Sequence, residues 1–243
     1  MLDTLRLPCH NHSHASEATA PHRVRRRSRA LTFASGTMPT DPTRTQCCTS
    51  CRLRQELCIC TDAPRLDLST RLIVIVHRKE WRRSSNTGYL ARLATRHGEV
   101  RLHGLQHKAV SSEGVDLASA STLVLYPGRG AHPLTAEHIA SLPRPLTLLV
   151  PDGNWNQAKN MMRRVPMLSQ AHPVCLPGAT VDHFNLRRNA YAERMSTFEA
   201  IARALGIIEK QAAEDHLLHF FRQVLDRMVP NQRRSVKRKA VAP

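Results

Sequence analysis

The chain reads as an α/β protein: a parallel sheet flanked by helices, preceded by a small N-terminal module built on four cysteines. Three observations carry this. Short apolar, β-branched runs recur at residues 71–76 (RLIVIV), 122–126 (TLVLY) and 146–150 (LTLLV), each of the composition of a strand buried on both faces. Helical or irregular crossings separate them, which is the βαβ rhythm of a parallel sheet. Five of the seven cysteines fall between Cys47 and Cys60.

The charge points to a partner. Lys and Arg number 36 against 19 acids, a net charge of +17. Residues 1–37 contribute +4 and residues 230–243 contribute +5, which leaves +8 on the body between them. A body so basic favours a polyanion such as RNA, although a merely soluble basic protein would look similar. No apolar run reaches the length of a membrane span, so no membrane association is expected. With no apolar core of a secretory signal the expected location is cytoplasmic. Residues 1–37 are too poor in large apolar side chains to fold, and translation from Met38 would remove them. Residues 230–243 read as a basic disordered tail.

The cysteine block, within a module over 44–66, reads as a metal site. Cys48-x2-Cys51 and Cys58-x-Cys60 place four thiolates within thirteen residues, and tetrahedral Zn²⁺ in a closed structural site suits such a set. Cys47 could stand in for Cys48. Arg52, Arg54 and Arg65 nearby would offset thiolate charge or contact phosphate.

The body, residues 67–229, follows. After the 71–76 strand come His77, Arg78, Lys79, Glu80, Arg82 and Arg83, a basic cluster at a sheet mouth that suits phosphate, or a plain solvated face. Ser85-Asn86-Thr87-Gly88 reads as the cap and first turn of a helix through Leu90, Leu93 and His97. Val100–Leu105 suggests a strand and 106–117 a loop. The 122–126 strand ends in Tyr126-Pro127-Gly128, where glycine permits close backbone approach. Thr135 caps a short helix to Leu142, and Pro143 and Pro145 stop it.

The stretch from Leu146 to Arg164 organises the rest. Its strand is expected to stop at Pro151, and Asp152-Gly153-Asn154 turns into a helix carrying Trp155. Asp152 would then sit where a strand end meets a helix start, the position at which open parallel sheets bind ligands. The plain alternative is an Asx turn capping a helix, with Trp155 in the core. Pro173–Leu176 suggests a last strand. Ser196 to Glu199 has the spacing of a capping box, and a helix start there also suits a carboxylate, with Arg187 as ion partner. Helices follow over 201–205 and 207–229, the second with Ala212, Leu217, Leu218, Phe221, Leu225 and Met228 on or near one face.

Four blocks in order, namely the cysteine set, His77-x2-Glu80 with Ser85-Asn86-Thr87-Gly88, Asp152-Gly153-Asn154-Trp155-Asn156-Gln157-Ala158, and Leu186-Arg187 with Ser196-Thr197-Phe198-Glu199-Ala200, together resemble the DTW-domain family. Asn154 departs from the family's usual Thr. The resemblance implies a SPOUT-like scaffold, knotted in its relatives, and transfer of an aminocarboxypropyl group from S-adenosylmethionine to a tRNA uridine. It implies Asp152 as the catalytic residue. Tyr126, Pro127, Gly128, Asp152, Gly153, Trp155, Arg187, Ser196, Thr197 and Glu199 would hold the donor. His77, Arg78, Glu80, Arg83, Asn86 and Thr87 would meet the RNA, and Cys48, Cys51, Cys58 and Cys60 the zinc. A methyltransferase on the same scaffold, or a zinc-bearing RNA-binding module without catalysis, are the alternatives; no stable protein partner is implied.

Overall fold

In the computed structural model, residues 47–83, 86–105, 109–177 and 195–239 are described, with side chains to Met228. Six parallel strands form one sheet: β1 (Arg71–His77), β2 (Glu99–His103), β3 (Thr122–Leu125), β4 (His132–Pro133), β5 (Thr147–Asp152) and β6 (His172–Cys175), in the order β2-β1-β5-β3-β6-β4. From β1 the chain goes outward to β2 and returns on the other flank as β3. The gap between β1 and β3 is then filled by β5, and β6 later enters between β3 and β4. Asp152 ends the inserted strand β5.

Alternation along β1 explains how both faces are covered. Leu72, Val74 and Val76 join one apolar cluster, Ile73 and Ile75 the other. The first cluster packs against α6 (Thr197–Ile208) and α7 (Gln211–Lys239) through Phe198, Ile201, Leu205, Leu217, Phe220 and Phe221. The second packs against α4 (Trp155–Arg164) and α5 (Pro166–Ser169) through Met161, Val165, Met167 and Leu168. Three short helices complete the body: α1 (Arg78–Trp81), α2 (Ala91–Ala94), entered through a 3₁₀ turn at Gly88–Leu90, and α3 (Ala136–Ala140), capped by Thr135 as expected.

Several expectations are corrected. The central strand does not stop at Pro151 but runs through it to Asp152. Alternate residues of a parallel strand aim their N–H groups at opposite neighbours. Thr147 donates to Ser121 on the β3 side, so Pro151 has its missing N–H on that side too, beyond Leu149, where pairing with β3 ends. No ladder bond is lost. The helix expected to reach His97 ends at Ala94. On α7 the buried positions are Ala213, Leu217, Phe220, Phe221 and Val224, while Leu225 is 40% exposed. The same helix continues past Pro230 to Lys239, where a tail was expected. No described helix is long and apolar enough to cross a membrane.

Candidate active site

Strand register sets the chemistry in a row. His77 lies level with His103, and Val76 with Asp152. Val124 pairs with Leu149, so two residues further on Tyr126 stands level with Pro151. The carboxyl ends of β2, β1, β5 and β3 thus present His103, His77, Asp152 and Tyr126 along one edge of the sheet.

Asp152 is the centre of this row. It is 5% exposed, and both carboxylate oxygens are engaged. Oδ1 accepts from the Thr197 hydroxyl at 2.6 Å, and Oδ2 accepts from Asn86 Nδ2. Thr87 Oγ1 accepts from the Phe198 backbone N–H at 3.4 Å, which stitches the 86–88 turn to the start of α6. Gly88 completes the cradle: a Cβ there would lie 2.5 Å from Asp152 Oδ2, so only glycine fits. Burial drives the carboxyl pKa above the usual carboxylate range and the Glu80 charge adds to it, while the Thr197 and Asn86 hydrogen bonds pull the other way. The net direction is upward.

Asn154, the residue after the Asp-Gly pair, caps α4 in a reciprocal capping box with Gln157. Trp155 opens that helix, three residues after Asp152, at 56% exposed, so the plain alternative of a core Trp155 does not hold. Gly153 and Gly128 both allow close packing: a Cβ would meet Gln157 at 3.0 Å and the Tyr126 ring at 2.9 Å, respectively. Ser196 and Glu199 form the expected capping box. Two of the backbone N–H groups at that helix start are therefore used within the protein, Glu199 by Ser196 and Phe198 by Thr87. Arg187, expected as the ion partner of a carboxylate, lies outside the described residues.

On the β1 side Glu80 is 9% exposed and pairs through Oε2 with Arg83 at 3.3 Å. Arg78 and Lys79 are exposed. His77 Nδ1 accepts from the Lys79 N–H, and its ring lies 5.9 Å from that of His103. Partial burial, with nearby positive charge, holds both histidines below their ordinary range. His103 and Gly88 are the positions the sequence reading did not assign to the site. The only sequence signal for either was position, His103 in a strand and Gly88 closing the Ser-Asn-Thr-Gly run.

The sulfur atoms of Cys48, Cys51, Cys58 and Cys60 lie within 4.8 Å of one another. Two pairs, Cys48–Cys60 and Cys51–Cys58, are at 3.6 and 3.7 Å. A tetrahedron with Zn–S bonds of about 2.3 Å has an edge of about 3.8 Å, so the set can hold such an ion. The module is bound to the elements that carry the Asp152 row. Tyr89, next to Gly88, donates its hydroxyl to the Cys51 carbonyl at 2.6 Å. The Arg52 guanidinium lies over the Trp81 and Tyr89 rings at 4.8 and 5.0 Å and donates to the Trp81 carbonyl, so it is mortar rather than a phosphate contact. On the other flank Arg227 of α7 pairs with Asp62 and donates to the Cys58 carbonyl.

Fold and site together define a parallel α/β protein with a buried carboxylate at the end of an inserted strand and a four-thiol module braced against it. The DTW domain family model matches residues 45–229, and the chain belongs to that family. Among curated proteins it is similar to tRNA-uridine aminocarboxypropyltransferase 2 of Drosophila melanogaster, 27% identical over 176 residues, covering 70% of this chain and 69% of that protein. It is 28% identical over 169 residues to tRNA-uridine aminocarboxypropyltransferase 2 of Mus musculus, covering 67% of this chain and 56% of the mouse protein. It is also 28% identical over 201 residues to tRNA-uridine aminocarboxypropyltransferase A of Arabidopsis thaliana, covering 70% of this chain and 75% of the plant protein. No solved structure matches the chain.

Proposed function

We propose that the protein transfers the 3-amino-3-carboxypropyl group of S-adenosylmethionine to N3 of a uridine in tRNA, on a SPOUT-like scaffold in the cytoplasm. The observation that carries this reading is the seat of Asp152, clamped by Asn86 and Thr197 three residues before an exposed Trp155, in a chain of the DTW family. The names and the 26–28% identity of its relatives support the substrate class. The body charge of +8 and the row of basic residues after β1 support an RNA partner.

In this reaction the uridine N3–H loses its proton, the N3–C bond forms at the γ-carbon and the C–S bond breaks. Its electron pair stays on sulfur, so methylthioadenosine leaves neutral. Asp152 is the proton acceptor: burial raises its basicity above that of an exposed carboxylate, and its two hydrogen bonds fix its direction. Trp155 offers a stacking surface for the base or the adenine, and the Tyr126-Pro127-Gly128 turn with Gly153 lines the donor side. Ser196, Thr197 and Glu199 build the helix start whose dipole faces the donor carboxylate, with Arg187 as its counter-ion. His77, Arg78, Arg83 and Thr87 line the RNA side. The four-thiol module holds Zn²⁺ structurally, since all four ligands come from protein and no coordination position is left open.

Incubation with S-adenosylmethionine and unmodified tRNA, followed by mass analysis of the digested nucleosides and the small-molecule product, tests this. Methylthioadenosine and an aminocarboxypropyl uridine are expected. Adenosylhomocysteine would convert the reading to a methyltransferase, and neither product would leave an RNA-binding protein.

A further inference from the structure

Around Asp152 the hydrogen-bond accounts do not close. Asn86 is 7% exposed and gives its Nδ2 to Asp152, yet its Oδ1 accepts from nothing among the described residues. Glu80 is 9% exposed and pairs through Oε2 with Arg83, yet its Oε1 likewise accepts from nothing. Buried oxygens of this kind are rare because they lose water without replacement. Both are acceptors. Asn86 touches Asp152 directly, and Glu80 is joined to Asn86 through Arg83, whose N–H donates to the Glu80 carbonyl at 2.8 Å and whose carbonyl accepts from the Asn86 N–H at 3.2 Å. In a chain of net charge +17, this turn and the strand end it covers bury two carboxylates and an amide oxygen. Such a spot is complementary to a cation with several N–H donors.

The other oxygen of Asp152 holds Thr197, the first residue of α6. Asp152 thus stands between Asn86, whose Oδ1 is unpartnered, and the amino end of that twelve-residue helix. An α-amino acid carries its ammonium and carboxylate on one carbon, and needs an acceptor-rich hole and a positive helix end close together. A uridine N3–H does not satisfy the same hole, being one neutral donor against two acceptors.

We infer that Glu80 Oε1 and Asn86 Oδ1 receive the α-ammonium of the amino-acid-bearing sulfonium donor, so that Glu80 and Asn86 select the donor rather than the RNA. This rests on the donor assignment proposed above. It has a mechanistic consequence. The ammonium stays on the migrating chain from start to finish, so a grip on it orients the γ-carbon toward N3 throughout the transfer, and leaves the methyl carbon unaligned.

The test is a double cycle by calorimetry on the full chain loaded with zinc, using Glu80→Gln and three ligands: S-adenosylmethionine, its analogue lacking the amino group, and methylthioadenosine. The wild-type protein is expected to bind the desamino analogue at least tenfold more weakly than S-adenosylmethionine. Glu80→Gln, which keeps shape and removes charge, is expected to weaken S-adenosylmethionine at least tenfold, to leave methylthioadenosine within twofold, and to abolish the preference for the amino group. Equal weakening of all three ligands, or of none, overturns the assignment. So does a wild-type protein indifferent to the amino group, a result that needs no variant to fold. A wild-type protein that binds none of the three overturns the donor assignment itself, and this inference with it.

Discussion

The four-thiol module and the Asp152 cradle are built in opposite ways. The module gathers four thiols from thirteen consecutive residues, so local spacing alone brings them within reach of one ion. The cradle gathers Glu80, Asn86, Gly88, Asp152 and Thr197 from three regions of the chain, and exists only when β1, β5 and α6 are docked. Between them run Tyr89, which ties the turn holding Gly88 to the Cys51 carbonyl, and Arg52, which ties the module to the Trp81 carbonyl at the end of α1. A local site can thus act as a brace for a non-local one.

Removing the ion should break both regions, and gives the largest effect. Binding at structural zinc sites is worth about 10–16 kcal/mol in isolated fingers, so Cys58→Ser or a strong chelator should unfold the module. Metal analysis should fall from one zinc per chain to none, and the melting temperature should drop together with transferase activity. Full activity in a zinc-free, folded protein would show that the Tyr89 and Arg52 ties carry nothing.

Asp152→Asn should leave the module untouched and lower turnover by about 10²–10⁴-fold, the usual range for loss of a positioned proton acceptor. It also has a pH signature. Because the folded carboxyl has its pKa raised above the unfolded value, the native state holds its proton longer, and this group costs stability as pH rises from the ordinary Asp range through the raised folded value. Urea midpoints across that window should fall with pH in the wild type, and the Asn variant should lack that component. Identical profiles would show that Asp152 is not buried as an ionisable group.

Gly88→Ala separates geometry from chemistry, since every polar group remains. The added methyl would lie 2.9 Å from Asp152 Cγ, so something must shift. Overpacking of this kind costs about 1–3 kcal/mol. Activity should fall at least tenfold with zinc content unchanged, and a variant with full activity would show the cradle to be soft.

What could be read from the sequence follows the same division. The cysteine ligands, the three central strands and the position of Asp152 at a strand end depend on spacing and composition within a few residues, and the structure shows them. The cradle is different. Asn86 and Thr87 read as the start of a helix, because locally that is what Asn-Thr-Gly does; a helical turn does start there, and in addition one side chain donates to Asp152 and the other accepts from Phe198. Thr197 read as a helix start too; it is one, and its hydroxyl meanwhile reaches Asp152 from 45 residues away. Pro151 misled for a related reason, since its cost depends on which neighbour its nitrogen faces and where that neighbour's pairing ends. The exposure of Trp155 could not be read from pattern, because helical period alone does not say which turn of α4 lies open to solvent.

The smallest expected effect is the most discriminating between the two regions. Arg227 ties α7 to the module through Asp62 and the Cys58 carbonyl, at 34% side-chain exposure, on the flank away from Tyr89. Water reaches this pair, so Arg227→Ala should cost no more than about 1 kcal/mol. If the module acts as a brace through Tyr89 and Arg52 alone, the variant should melt slightly earlier, keep its zinc and keep its turnover. If turnover falls while zinc stays bound, the brace also runs through α7 and its neighbour α6, and reaches Asp152 by way of Thr197 rather than Gly88. Turnover and zinc content measured on the same preparation decide between these routes, because one reaches Asp152 at Oδ2 and the other at Oδ1.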